Sequence, residues 1–172
     1  MRNQRDDAFD EFATTAWPRL HRIGYLLTGD HHLAEDLAQA ALVRTYSSWS
    51  RVRAGDAPAY ARRVLLNLNV DRLRRKRVVE VGDAALAVVP TAGGSTSAAT
   101  VEDRDQVVRL LAGLSERERR VVVLRHYCDL SEAAVAAELG IAPGTVKSAL
   151  SRALAKLRVS ITEDTDELRG AL

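Results

Sequence analysis

Two histidines stand beside two carboxylates in the stretch GDHHLAEDLAQ, residues 29–39, and these residue types bind transition metals. On a helix, side chains four residues apart face each other, which gives two pairs: His31 with Glu35 and His32 with Asp36. Each pair supplies only two ligands, whereas a structural zinc site needs four and usually includes thiolates. The single cysteine, Cys128, lies far along the chain. We therefore predict no metal and no cofactor, and interpret the stretch as a helix start capped by Asp30.

The sequence lacks the common motifs of enzymes. The chain has no G-x-x-x-x-G-K phosphate loop, no G-x-S-x-G elbow and no H-E-x-x-H pair. His126 and Cys128 suggest a thiol–imidazole couple, but side chains two residues apart on a helix do not face each other. We predict that the protein is not an enzyme.

The composition is that of a globular protein with one or two domains: 172 residues, 47% hydrophobic and 28% charged. No apolar run approaches the roughly 20 residues that a membrane-spanning helix needs. The amino terminus lacks the apolar core of a secretory signal. A single cysteine excludes an internal disulfide and fits a reducing compartment. We expect a cytoplasmic protein with no membrane partner.

The basic residues concentrate in two segments, although the net charge is only +2. Between Tyr60 and Arg77 there is one acid, Asp71, and the basic residues are Arg62, Arg63, Arg72, Arg74, Arg75, Lys76 and Arg77. Between Pro143 and Arg158 there is no acid, and the basic residues are Lys147, Arg152, Lys156 and Arg158. Two basic helices in a nearly neutral chain indicate a nucleic-acid binder with two contact points. The alternative is two solvated helix faces.

The stretch AVVPTAGGSTSAAT, residues 87–100, has the composition of a linker, with a proline, paired glycines and no charge. Helical periodicity dominates on both sides of it. We predict an all-α protein of two small helical domains joined by a flexible linker. The predicted limits are a domain over residues 1–80, the linker over 81–102, a second domain over 103–160 and an acidic tail over 161–172. The tail is interpreted as solvated, the alternative being that it folds back on a basic helix.

Three helices are predicted in the amino-terminal half. The apolar face of the first consists of Phe9, Phe12, Ala13, Ala16, Trp17 and Leu20. Pro18 is expected to kink or restart this helix, and Gly29 to stop it. The face of the second helix includes Leu33, Leu37, Ala40 and Ala41. The third is predicted to run from about Ala57-Pro58 into the arginine cluster.

A helix-turn-helix is predicted over Leu130–Arg158. Ser131 caps a helix that ends at Leu139, Gly140 turns the chain, and Pro143 starts the second helix. The second helix has an apolar stripe of Val146, Ala149, Leu150, Ala153, Leu154 and Leu157. Its other face carries donors suited to phosphates and base edges: Thr145, Lys147, Ser148, Ser151, Arg152 and Lys156. The alternative is a helical hairpin with a basic solvent face.

Just before this motif, Ser115 and Glu118 form an S-x-x-E capping box. The box predicts a helix where the run Val121–Leu124 would otherwise suggest a strand.

Three segments together resemble bacterial sigma factors. GTVKSALSRALAKLR, with LSERERRVVVLRHYCDLS before it, resembles their promoter-binding carboxy-terminal region, region 4. YLLTGDHHLAEDLAQAALVRTYSSW resembles the segment that binds core polymerase, and AYARRVLLNLNVDRLRRKR the promoter-melting helix, both in region 2. The order of the segments is that of the extracytoplasmic-function type of the sigma-70 superfamily. The resemblance implies a sigma factor that binds core RNA polymerase and directs promoter-specific initiation of transcription.

The resemblance also implies roles for particular residues. The polymerase-binding residues are Glu35, Asp36 and Gln39. The residues that open the downstream promoter element are Arg62, Arg63, Asn67, Arg72, Arg74 and Arg75, and the face of the last helix described above reads the upstream element as duplex. Trp49 and Tyr60 could stack on unpaired bases, or belong to the core. The partners are then core RNA polymerase and promoter DNA, and the resemblance allows an anti-sigma factor as a third.

Two positions depart from the family. Ala142 stands where a Ser or Thr commonly caps the recognition helix, and Ala134 stands where a glutamate would complete a capping box with Ser131.

The rival interpretation is a conventional helix-turn-helix regulator that binds duplex DNA without joining the polymerase. Such a protein would not need the basic segment from Tyr60 to Arg77.

Overall fold

The structure is a computed structural model that describes residues 4–82 and 106–170, with side chains over 4–79 and 106–162. Within these ranges the regular elements are all helical, which confirms the predicted all-α class. The chain divides into two compact units, Met1–Gly93 and Gly94–Leu172, at a point within the predicted linker. Most of that linker, residues 81–102, lies outside the described residues, as do the side chains of the acidic tail from residue 163 onward.

The first helix, α1 (Gln4–Thr28), runs without a break through Pro18, so the expected restart does not occur. Proline removes one backbone hydrogen bond, the one to the carbonyl four residues earlier, which belongs to Thr14. Both Pro18 and Thr14 are exposed, so water can bind this carbonyl and the helix continues. The fully buried part of α1 begins only at Leu20 and includes Ile23 and Leu27, whereas the predicted face before it is half-buried.

Gly29 and Asp30 separate α1 from the second helix, α2 (His31–Ser47), as predicted. Gly29 has a φ of 69°, and the Asp30 side chain accepts a hydrogen bond from the backbone N–H of Leu33 at 3.0 Å. The two helices pack closely at Gly24, where a Cβ would lie 3.0 Å from Cα of Ala34. The buried face of α2 accordingly includes the small residues Ala34, Ala38 and Ala41, which are fully buried. Of the residues predicted for this face, Leu37 and Ala41 are buried, whereas Leu33 and Ala40 are half-buried.

The third helix, α3 (Ala57–Gly82), follows a short 3-10 turn over Ala54–Asp56 and starts at the predicted boundary. Its buried side packs on α1 and α2 through Ala61, Leu65 and Leu66. The basic residues beyond these therefore extend along a helix whose first half is fixed in the core.

In the second unit the described residues start in a helical stretch, 106–112, here α4, and continue with α5 (Glu116–Val122). Ser115 Oγ accepts from the N–H of Glu118, and the Glu118 carboxylate accepts from the N–H of Ser115, so the predicted capping box is formed. The segment Val121–Leu124 is helical and buried, as the box predicted. The chain leaves α5 through a π-helical turn, Val123–Tyr127.

The last two helices form the predicted helix-turn-helix. Ser131 Oγ accepts from the N–H of Ala134 and caps α6 (Glu132–Leu139), and Gly140 turns the chain with a φ of 64°. The final helix, α7, spans Pro143–Gly170. Val146, Ala149 and Ala153 of its apolar stripe are fully buried against α5 and α6.

Candidate nucleic-acid interface

The outward face of α7 carries the residues predicted to bind the upstream element. Lys147, Ser148 and Ser151 are exposed and Thr145 is half-buried. The hydroxyl of Ser148 donates to the carbonyl of Thr145 at 3.1 Å. A helix that buries one side in its own unit and presents hydroxyls and a cation on the other can lie in a DNA groove without losing its packing.

The remaining two predicted residues of α7, Arg152 and Lys156, pair with a carboxylate. Lys156 Nζ lies 2.8 Å from Oε2 of Glu118, and Arg152 Nε lies 3.6 Å from Oε1 of the same side chain. Glu118 is only 5% exposed, whereas the two basic side chains stay more than half exposed. The sequence of α7 places no acidic residue on this face. The carboxylate that pairs with Arg152 and Lys156 belongs to Glu118 of α5.

The carboxylate of Glu118 is held ionised by these partners. The hydrogen bond from Lys156 is the largest cause that lowers its pKa to about 2, and the capping-box bonds from Ser115 act in the same direction. Burial raises the pKa, but its effect is smaller than that of the hydrogen bond from Lys156. Glu118 therefore combines two functions, a helix cap and an anionic anchor for α7.

The basic residues of α3 divide between an exposed face and the interior. Arg63, Asn67 and Arg74 are exposed at spacings of four and seven residues, which places them on one side of the helix. Arg75 is also exposed on an adjoining side and donates from Nε to the carbonyl of Asp71 at 3.3 Å. These residues form a basic surface along the solvent side of α3.

Two predicted residues of α3 lie elsewhere. Arg72 is half-buried and donates from Nε and Nη2 to Oδ1 of Asn69, which is buried. Arg62 is half-buried and lines a groove of about 290 Å³ between α1 and α3, together with Leu20 and Ile23. The six candidates for the downstream element are therefore not brought to one surface.

The polymerase-binding candidates Glu35, Asp36 and Gln39 are all exposed on α2. They lie on the side away from the buried alanines, at spacings of one, three and four residues. The structure thus brings these three together as one polar patch.

The histidine of the opening stretch has a packing role. The His31 ring stacks on Tyr25 with centroids 3.9 Å apart and an interplanar angle of 14°, and the His21 ring is stacked with His31 at 5.8 Å. Across residues 4–79 and 106–162, no group of three or more His, Cys, Asp or Glu side chains is arranged to hold a metal ion. The same described helices include none long and apolar enough to cross a membrane.

Trp49 and Tyr60, the two rings considered for base stacking, make contacts inside the first unit. Trp49 packs on Phe9 and Phe12 with centroids 5.1 Å away in each case. The hydroxyl of Tyr60 donates to Ser48 Oγ at 3.0 Å. Both rings are half-buried, which favours the core interpretation.

Sequence reasoning missed the contacts that join distant segments. Glu118 was recognised as a cap, but its partner Lys156 is 38 residues away. Arg119 was not singled out, yet it donates to the carbonyls of Leu111, Ala112 and Leu114 and so closes the turn between α4 and α5. An arginine that follows a capping box is the only local signal for that contact.

Comparison with known proteins identifies both units. A family model described as Sigma-70 region 2 matches residues 13–78, and one described as Sigma-70, region 4 matches residues 104–157. The chain is 40% identical over 151 residues to the RNA polymerase sigma-E factor of Streptomyces avermitilis, covering 87% of this chain and 83% of that protein. It is 33% identical over 158 residues to the ECF RNA polymerase sigma factor SigL of Mycobacterium tuberculosis, covering 90% and 87%.

A solved structure shares the fold. The sigma factor RpoE of Bartonella quintana, in complex with the anti-sigma factor NepR, superposes with a TM-score of 0.71 at 26% identity, over 90% of this chain and 96% of that one. Two sigma-70 family regions in the same chain, and relatives that match it over most of their length, leave the conventional regulator without support. The chain belongs to the sigma-70 family and is an RNA polymerase sigma factor of the extracytoplasmic-function type.

Proposed function

We propose that this sigma factor directs initiation through three surfaces with separate tasks. The α2 patch of Glu35, Asp36 and Gln39 binds core RNA polymerase, the basic side of α3 holds the opened downstream element, and α7 reads the upstream element as duplex. The observation that carries the proposal is that one chain has both a helix-turn-helix and a second exposed basic helix. A regulator of duplex DNA needs only the first of these.

The α3 surface is suited to single-stranded DNA. Arg63, Arg74 and Arg75 supply cations along the helix, and Asn67 supplies an amide that can hydrogen-bond to a base edge. Because Arg72 and Arg62 are half-buried, we assign them to positioning the helix and not to the strand itself.

The α7 surface is suited to duplex DNA. Thr145, Lys147, Ser148 and Ser151 offer donors near the start of the helix, the part that enters the major groove in helix-turn-helix proteins. Arg152 and Lys156 follow within the next turns and carry positive charge toward the phosphates.

We further propose the domain limits 1–80 and 103–160, a cytoplasmic location with the polymerase, and a role as a polymerase subunit without a catalytic step of its own. A sigma factor of similar fold has been solved in complex with an anti-sigma factor, and we include such a protein among the partners of this chain.

Run-off transcription with purified core polymerase tests the proposal. The purified protein should allow core polymerase to start at a promoter of its own genome and should not form transcripts without core polymerase. If the protein binds such DNA tightly alone but gives core polymerase no promoter specificity, the proposal is wrong.

A further inference from the structure

The contact of Glu118 with α7 bears directly on how the upstream element is bound. Its carboxylate is fixed from inside the second unit, because Oε2 accepts from the N–H of Ser115 at 2.9 Å and from Nζ of Lys156 at 2.8 Å. With two strong bonds to one oxygen and only 5% of the side chain exposed, the group cannot swing toward solvent. The other oxygen, Oε1, is the one that faces Arg152.

Arg152 approaches this oxygen through Nε, at 3.6 Å, while 58% of its side chain stays exposed. A guanidinium is planar and carries five N–H donors in a fixed fork. An ion pair of Nε with Oε1 at 3.6 Å, longer than a hydrogen bond, restricts the guanidinium to the neighbourhood of Glu118, and its further N–H donors remain for a second anion. An exposed arginine without such an ion pair would lose more rotamer entropy when it binds DNA.

We propose that Glu118 is a positioning residue for DNA binding, holding Arg152 so that the remaining donors of its guanidinium meet a phosphate of the upstream element. The inference rests on the proposed reading of that element by α7. Ser148 and Arg152 are four residues apart on the same side of α7, so the oriented guanidinium continues the surface that the hydroxyls begin. Lys156 completes the arrangement by holding Oε2 of Glu118 at 2.8 Å, which leaves Oε1 to face Arg152.

The direction in which Glu118→Gln changes the affinity for DNA distinguishes this inference from a purely electrostatic effect. Glu118→Gln removes a negative charge near the DNA surface, which by charge alone should tighten binding to phosphates. Glutamine is also a normal partner in a capping box, so the bond to the Ser115 N–H can persist. We expect the opposite of the electrostatic result: affinity for an upstream-element duplex falls about 3- to 10-fold, because a charge-assisted hydrogen bond loses its preorganised donor.

The experiment uses the full chain assembled with core polymerase and a fluorescent duplex that carries the upstream element. Affinity is measured by anisotropy over a range of salt concentrations for four proteins: the unaltered chain, Glu118→Gln, Arg152→Met and the double variant. The inference predicts that both single variants bind more weakly and that the double variant is no weaker than Arg152→Met. The dependence of log K on log salt should become less steep by about one counterion in each variant.

Arg152→Lys is a second variant that does not depend on how Glu118→Gln folds, since Arg152 is exposed. It keeps the charge but loses the planar fork, so it should bind the duplex about as weakly as Glu118→Gln. If Arg152→Lys binds like the unaltered chain, a point charge is sufficient and the inference is wrong.

The remaining outcomes are distinguishable. If Arg152→Met weakens binding but Glu118→Gln leaves it unchanged or tighter, positioning by Glu118 is refuted and the proposed reading by α7 stands. If Arg152→Met itself has no effect, the Arg152 contact of the proposed function fails, and the inference fails with it.

Discussion

The guanidinium of Arg72 is bound by the buried side chain of Asn69. Nε and Nη2 of Arg72 donate to Oδ1 of Asn69 at 3.3 and 3.2 Å, and Asn69 is only 2% exposed. Two residues further on, Arg74 is 78% exposed and pairs with Asp71 at 3.5 Å near the surface. Neighbouring arginines of one helix therefore have different tasks, one in the fold and one toward solvent.

Arg72→Ala should destabilise the first unit by about 1–2 kcal/mol, because the buried acceptor of Asn69 loses its donors. Arg75→Ala is the matched control on the same helix: Arg75 is exposed and donates only to an exposed carbonyl, so its loss should cost less than about 0.5 kcal/mol. Urea unfolding of the full chain, followed by tryptophan fluorescence, measures both. Equal stabilities for the two variants would contradict the assignment of Arg72 to the fold and of the exposed arginines to the surface.

Reversing the charge at Arg74 and Arg75 together should impair promoter opening more than polymerase binding. Both side chains are exposed on the basic surface of α3, whereas the proposed polymerase-binding patch lies on α2. We expect permanganate reactivity of the downstream element to fall about tenfold or more, while pull-down of core polymerase changes less than about twofold. Arg117→Glu, exposed in the second unit, is the control for a charge reversal placed outside α3, and it changes the net charge by half as much. The reverse order of effects would show that α3 serves docking instead.

Asp36→Arg should abolish binding to core polymerase without unfolding the protein. The side chain is exposed on α2, and the substitution opposes whatever positive surface the acidic patch meets, a loss of about 2–5 kcal/mol for a like-charge contact. Glu11→Arg is the control, since it reverses an acid on α1 that is also exposed and lies outside that patch. Circular dichroism checks folding and co-sedimentation with core polymerase checks binding. Retained binding by Asp36→Arg would move the docking site away from α2.

The stability of the second unit should depend on pH through Glu118. Its pKa is lowered from 4.5 to about 2 in the folded state, chiefly by the bond from Lys156, so the unfolded chain takes up the proton first as pH falls. The stabilisation is therefore complete above about pH 5 and is lost as pH falls toward about 2. At neutral pH a shift of this size corresponds to about 3 kcal/mol.

Comparison with Glu118→Gln isolates this contribution from the other carboxyl groups. The difference in unfolding free energy between the two proteins should be constant above about pH 5 and shrink steadily below it. Chemical unfolding at several pH values, monitored by circular dichroism, measures the difference. A difference that stays constant down to pH 3 would mean that Glu118 titrates at its ordinary pKa.

Local signals accounted for most of the fold. The Asp30 cap, the Ser115 capping box and the Gly140 turn each depend on residues a few positions apart, and each formed as predicted. The continuity of α1 through Pro18 was not predictable, because the periodic pattern does not report whether the carbonyl left without a donor faces water.

The candidate site was harder to predict from the sequence than the fold, because its chemistry depends on contacts between distant segments. The pairing of Glu118 with Lys156 joins α5 to α7, and no spacing rule within one helix predicts it. The bond from Arg72 to Asn69 is local, but that Asn69 is buried follows only from the packing of α3 on its neighbours. Charge clusters in a sequence therefore give the number of basic residues and not how many of them remain available to DNA.

The turn of the helix-turn-helix provides a test of backbone conformation alone. Gly140 has a φ of 64°, and a Cβ built there meets no atom within 4 Å. Gly144 also has open space around its Cβ, but it lies inside α7. The two sites thus differ in backbone conformation and not in crowding, so Gly140→Ala should destabilise the second unit by about 1 kcal/mol, whereas Gly144→Ala should stabilise it by up to about 1 kcal/mol.

Amide hydrogen exchange in the buried segment Val121–Leu124 reports this unit separately from the first. Protection there should fall about fivefold in Gly140→Ala and rise by a similar factor in Gly144→Ala, since about 1.4 kcal/mol corresponds to tenfold. The duplex affinity of the folded variants should change less, because neither glycine contributes a side chain to the α7 surface. If both variants shift protection in the same direction, the left-handed turn at Gly140 does not limit the stability of the helix-turn-helix.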